Sequence, residues 1–194
     1  RRFTIATPLG DDALILRRLS GTEQLSRLFE FEVELHSDDI NIKHEDLLGE
    51  NVTIGIELPD DEVRHLNGFV SRISMEGYDG RHVVYRATIS PWFWFLTRTS
   101  DCRIFQEMTV PDIIKQVFSD HGFSDFEDRL TGSYRTWEYC VQYRETDFNF
   151  ISRLMEQEGI YYFFSHEDGK HNLVMADAPS AHEPVSGYDT VPYF

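Results

Sequence analysis

The chain has 194 residues, enough for one large domain or two small ones. Hydrophobic residues make up 41% and aromatics 14%, which supports a packed core and excludes intrinsic disorder. The 34 acidic residues outnumber the 18 basic ones, and the resulting charge of −16 repels phosphate backbones and argues against a nucleic-acid partner.

The first half reads as β-structure, beginning with short strands at residues 3–7 and 13–19. Phe29, Phe31, Val33 and Leu35 are apolar at odd positions, while Glu30, Glu32, Glu34 and His36 fill the even ones. That alternation places one face on a core and the other in water. Residues 43–48, closed by Gly49, read as a helical turn. Val52, Ile54, Ile56 and Leu58 repeat the strand pattern, ended by Pro59-Asp60-Asp61. Runs at 63–75 and 82–90 flank Gly77-Tyr78-Asp79-Gly80, where Asp-Gly signals a hairpin, and Val83, Tyr85, Ala87 and Ile89 share a face. Gly68, inside the long run, predicts a bulge or bend that curves a sheet toward closure. About six strands with hairpin connections and one apolar face predict a small antiparallel β-barrel over residues 1–97.

The second half changes period. Thr109 followed by Asp112 is a capping-box pattern with Pro111 in the first turn. Val110, Ile113, Ile114, Val117 and Phe118 then fall on one helical face, and Gly122 follows as the C-terminal stop. Residues 139–143 read as a strand. A second helix starts at Thr146 or Asp147, turns Phe148, Ile151, Leu154 and Met155 inward and stops at Gly159. Residues 160–164 and 172–175, joined by a polar turn, form a hairpin. Residues 98–194 thus predict an α+β domain with two amphipathic helices and a hairpin, so the whole is α+β and β-rich. The tail from Ala178, with Pro179, Pro184 and Pro192, reads as an extended crossing segment.

The sequence offers no catalytic, cofactor-binding or metal residue. The eight histidines contain no His-Glu-x-x-His and no Cys-His cluster. His166 and His171 flank the predicted hairpin turn and read as solvated turn residues rather than a ligand pair. Asp11-Asp12, Asp38-Asp39 and Asp60-Asp61 sit at turns, where Asp bonds its own backbone. Cys102 and Cys140 are the only cysteines, too few for a disulfide scaffold or a Cys-rich zinc site; their strand-like surroundings predict inert, buried thiols. No nucleophile elbow or phosphate loop occurs. Trp92-Phe93-Trp94-Phe95-Leu96 reads as buried packing rather than a sugar platform. No apolar run approaches the roughly 18 residues of a membrane span. The expectation is a non-enzyme without cofactor; the alternatives are a small acidic hydrolase or a ligand-binding β-barrel.

Several segments resemble one family. Gly21-Thr22-Glu23-Gln24-Leu25-Ser26 leads into Leu28-Phe29-Glu30-Phe31; Leu48-Gly49 and Asn67-Gly68-Phe69-Val70 follow, then Arg103-Ile104-Phe105-Gln106. The most specific block runs from Tyr143-Arg144-Glu145-Thr146-Asp147-Phe148 through Arg153-Leu154-Met155-Glu156-Gln157-Glu158-Gly159-Ile160-Tyr161-Tyr162-Phe163 to Asn172-Leu173-Val174-Met175-Ala176-Asp177. In this order they resemble the N-terminal, hub-like region of VgrG spike proteins of type VI secretion, similar to the baseplate hub of contractile phage tails. The resemblance implies a homotrimer whose barrels form a pseudo-sixfold ring on an Hcp-like tube hexamer. It also implies PAAR-like tip or effector partners and no catalytic residue here. By the same resemblance the protein is assembled in the bacterial cytoplasm and exported to the extracellular space or a target cell without a Sec signal or stable membrane insertion. The opening Arg1-Arg2-Phe3-Thr4 and the lack of an apolar leader fit a trimmed chain without a signal peptide, ending before the family's second barrel.

Overall fold

In the computed structural model, which describes residues 2–10, 12–59 and 62–183, the alternating runs of the first half become one sheet. Its strands are β1 (Phe3–Ala6), β2 (Ile15–Thr22), β3 (Glu30–Ser37), β4 (Asn51–Glu57), β5 (Val63–Asp79) and β6 (His82–Ser90). They pair antiparallel in the order β1-β4-β5-β6-β3-β2. The sheet curls until edge strands β1 and β2 touch, without a ladder between them, so it is a half-barrel. The concave face holds Phe29, Phe31, Val33 and Leu35 at 1–3% exposure, packed on Ile54, Val70, Tyr85 and Ile89. The predicted face assignment of β3 is therefore correct, except that His36, expected in water, is buried beside His82 with Glu34 bonded to its Nε2. Leu58, expected inward, is exposed because β4 has already ended.

Curvature comes from β5, whose register slips between Val70 and Arg72 and again between Met75 and Gly77. Bulges of this kind add twist. Gly68, predicted to mark a bulge, lies in regular ladder; its role is close approach. A Cβ there would sit 2.6 Å from Ile89 Cγ2 and 2.9 Å from the Ser90 carbonyl. The β5–β6 hairpin closes through Gly80 and Arg81, since Asp79 pairs with His82, and Gly80 takes φ +61°.

The second half supplies β7 (Ser100–Met108), α1 (Val110–Asp120), β8 (Phe126–Arg129), β9 (Trp137–Thr146), α2 (Asp147–Glu158), β10 (Tyr161–Glu167) and β11 (Lys170–Ala176). Strands β7 and β9 form an antiparallel ribbon; β10, β11 and β8 form a second sheet in which β8 runs parallel to β11. Strand β8 was not predicted, and β7 was anticipated only as the strand-like surroundings of Cys102. Helix α1 is capped by Thr109, whose Oγ1 accepts the Asp112 N–H at 3.3 Å, and all five predicted core residues are buried. Helix α2 is capped by Thr146 and ends at Gly159 in the left-handed region at φ +73°. It buries Phe150, which was missed, more fully than the half-buried Phe148. Residues 179–181 form a 3₁₀ turn rather than an extended segment. Pro184 and Pro192 lie outside the described residues.

Candidate functional site

Two apolar cores meet where the β10–β11 hairpin rests on β5, and half-buried Phe164 packs against both. Polar groups from distant parts of the sequence join there. Strand β6 ends at Ser90, opposite Phe69, so Asn67 lies two residues beyond its ladder. Its backbone N–H donates instead to His166 Nδ1 at 3.1 Å. The Asn67 side chain is fully buried; Nδ2 donates toward Asn51 Oδ1, Val52 O and Thr53 Oγ1 at 2.7–3.1 Å.

His171 completes this seam. The Trp92 N–H donates to its Nε2 at 2.9 Å, which leaves the proton on Nδ1 to be donated to Asn67 Oδ1 at 2.8 Å. Burial, with His166 beside it, drives the His171 pKa down to about 3, so the ring is neutral. His166 Nε2 lies 2.9 Å from Glu23 Oε1, and the Gly169 N–H donates to Thr53 Oγ1. Ser26 adds a bond pair: its N–H donates to the Tyr162 carbonyl at 2.8 Å, while its Oγ accepts the Tyr162 N–H at 3.4 Å. Each bond ties the hairpin to the half-barrel. Buried polar groups satisfied in this way specify one docking geometry.

A second polar centre surrounds Asp147, the first residue of α2, at 2% exposure. Its Oδ1 accepts from Arg103 Nη2 at 2.6 Å and Gln142 Nε2 at 2.8 Å. Its Oδ2 accepts from Thr99 Oγ1 at 2.6 Å and meets His121 Nε2 at 3.0 Å. Burial alone would raise this pKa, but the Thr99 and Gln142 bonds, Arg103 and His121 together hold it below the usual carboxylate range. With four partners on two oxygens, the carboxylate has no lone pair to spare for a substrate proton. Asp177 is similar: bonds from the Thr131 and Gly132 amides and the Tyr134 hydroxyl take it down to about 2.

The histidines expected in solvent are thus corrected. His166 and His171 are cross-strand partners, and His171 is 1% exposed. A hairpin turn is solvated only if nothing lies against it, and here β4 and β5 do. Cys102 is also corrected: it is exposed, whereas Cys140 is buried as expected. Trp92, Phe93 and Leu96 are core residues, as read from sequence. Asp39 behaves as a turn residue, accepting the Asn41 N–H at 2.8 Å. Asp11, Asp60 and Asp61 lie outside the described residues. Among the described residues no group of three or more His, Cys, Asp or Glu is placed to hold a metal, and no helix is long and apolar enough to cross a membrane. Asn67, Gln142 and Asp147 were missed as organising residues. The available signal was a polar residue inside an otherwise strand-like or helix-initial apolar segment.

Residues 22–194 match the family described as phage tail baseplate hub (GPD). The chain is 55% identical over all 194 residues to the type VI secretion system spike protein VgrG1a of Pseudomonas aeruginosa, and spans 30% of that protein's length. It is 32% identical over 179 residues to the actin cross-linking toxin VgrG1 of Vibrio cholerae, covering 88% of this chain and 16% of the toxin. Among solved structures, the E. coli c3393 protein, described as a type VI secretion component similar to T4 tail proteins gp27 and gp5, superposes with a TM-score of 0.84. That match has 25% identity and covers 93% of this chain and 50% of the other.

Proposed function

The chain belongs to the phage tail baseplate hub family, and on that premise we propose that it is the hub-like base of a puncturing spike of a type VI secretion system. The observation that carries this reading is similarity along the whole chain to a named spike protein, VgrG1a. The polar chemistry supports a scaffold over a catalyst. Asp147, Asp177 and His171 are saturated by bonds within the chain and hold elements together. In this reading residues 1–97 are the barrel unit and residues 98–194 a separate α+β unit. Three copies form a ring that sits on an Hcp-like tube hexamer and carries PAAR-like tip or effector proteins. The protein is loaded in the bacterial cytoplasm and leaves without a Sec signal; this region performs no reaction.

Three copies at −16 each repel one another around a common axis, so apolar contact or counterions must offset that charge. Sedimentation of the intact protein, with and without tube hexamers, is the test. A trimer that binds the tube end supports the reading. A monomer with no affinity for the tube, or a hydrolytic activity lost on substitution of one carboxylate in this region, overturns it.

A further inference from the structure

Strands β7 and β9 pair only with each other among the described residues. One face of this ribbon buries Phe105, Cys140 and Gln142 against the helical side of the unit. The other pairs Cys102 with Tyr143, Ile104 with Val141 and Gln106 with Tyr139. All six are exposed, Ile104 at 61% and Tyr143 at 65%. None carries a charge, in a chain whose net charge is −16. Tyr enrichment and charge depletion are the composition of an interface core.

The two edges of the ribbon differ. On β9 the Val141 carbonyl accepts from Arg153 Nη2 of α2 at 2.8 Å, so it points away from β7. Ile104 and Val141 are therefore a pair that exchanges no ladder bonds, and the backbone groups of Ile104 point outward too. Cys102 agrees, since its N–H donates to Asp101 Oδ1 rather than to β9. By the same alternation the N–H and C=O of Gln106 lie on the outer edge of β7. Among the described residues no other segment bonds that edge between Ile104 and Gln106. The register is regular from Cys102 to Gln106, and no Pro or Lys blunts the stretch. Beyond it come Glu107 and Glu138, between the Gln106–Tyr139 and Met108–Trp137 pairs. Both are exposed, and neither makes an ion pair among the described residues.

We propose that the open edge of β7 receives an extended strand of a partner protein, apolar at alternate positions and basic at the end beside Glu107. Main-chain bonds to Ile104 and Gln106 hold the added strand, and its apolar side chains continue the face of Ile104 and Val141. Its Lys or Arg answers the two carboxylates, which otherwise repel each other across the ribbon. A second copy of this chain is the poorer occupant. Each copy brings −16, and antiparallel pairing centred on Ile104 sets Asp101 against Glu107 twice. The inference goes beyond the spike reading and does not rest on it.

The test uses the intact protein and an array of acetylated, amidated peptides in which Val, Ile or Tyr alternates with Thr, with Lys at one end, beside a matched array with Glu there. Lys peptides should bind about tenfold tighter than their Glu counterparts, and Glu107→Lys should reverse that order. Methylating the peptide's backbone nitrogens one at a time should abolish binding at every second position and spare it at the others, as only one edge of an added strand is paired. Ile104→Glu should abolish binding while the melting temperature stays near the parent's, because the side chain stands in solvent in the free protein. Equal binding by both arrays, no binding by either, or a methylation effect without alternation overturns the proposal. So does unchanged affinity in Ile104→Glu. A concentration-dependent dimer that Ile104→Glu disrupts also overturns it, since the occupant is then a second copy.

Discussion

Arg103, on β7, reaches the first residue of α2, where its Nη2 donates to Asp147 Oδ1 at 2.6 Å. The same guanidinium bonds Gln142 on β9 through Nε and Asp120 at the end of α1 through Nη1. One cation therefore holds four elements in register. Both residues belong to the sequence blocks that resemble the spike family, and the structure gives those blocks an architectural reason.

Asp147→Ala should destabilise the protein by about 3 kcal/mol or more, because it strands Arg103 and Gln142 in a largely dry site. A lowered carboxyl pKa contributes stability above the unfolded-state value, lost as pH falls through the folded one. Urea unfolding at neutral pH and in acid should therefore show the deficit shrinking in acid. An equal deficit at both ends would mean that the carboxylate charge is not what holds the centre.

His171 sets a different window. It stays neutral when folded down to about pH 3 but takes up a proton near 6.5 when unfolded. The unfolded state then binds more protons across that interval, so stability falls as pH drops from 6.5, at up to about 1.4 kcal/mol per pH unit. His171→Gln should be less stable at pH 8 yet show a flatter profile between pH 4.5 and 6.5, above most carboxylate titration. Urea midpoints across that range decide it, and identical slopes in the two proteins would refute the assignment.

On β3 the two faces should respond unequally. Phe31→Ala, at 3% exposure, should cost about 3–5 kcal/mol. Glu32 faces outward, which by alternation alone predicts a neutral substitution. However, its Oε1 accepts the hydroxyl of buried Thr88 at 2.6 Å. Glu32→Ala should cost about 1–3 kcal/mol by leaving that hydroxyl unpaired, and Thr88→Val in the same background should recover part of the loss. Thermal melts of the three variants check both statements.

Gly68→Ala should destabilise by about 1–3 kcal/mol, since the new methyl meets both Ile89 and the Ser90 carbonyl. Ile89→Ala removes the Cγ2 that the new methyl meets but leaves the Ser90 carbonyl, so the double variant should lose less than the two single losses added together. A fully additive pair in denaturant unfolding would place the strain elsewhere.

The strands of the half-barrel and both helices were legible because their signals are local. Period-two alternation in residues 29–35, period 3.6 in residues 110–118, Thr109 and Thr146 as caps and Gly159 as a stop each act within a few residues of chain. What tertiary structure alone decided lies at the junctions. Strand β8 exists because β11 offers it a parallel partner, and residues 126–129 carry too little pattern to announce it. The burial of His171 depends on Asn67, 104 residues away, and on the β6 ladder stopping two residues short of Asn67. Cys102 and Cys140 look alike in sequence, but β7 and β9 turn one outward and one inward. Local steric and hydrogen-bonding preferences are written residue by residue. Which polar group is buried against which partner is a property of docked surfaces, settled only when burial forces every donor and acceptor at the seam to find a match.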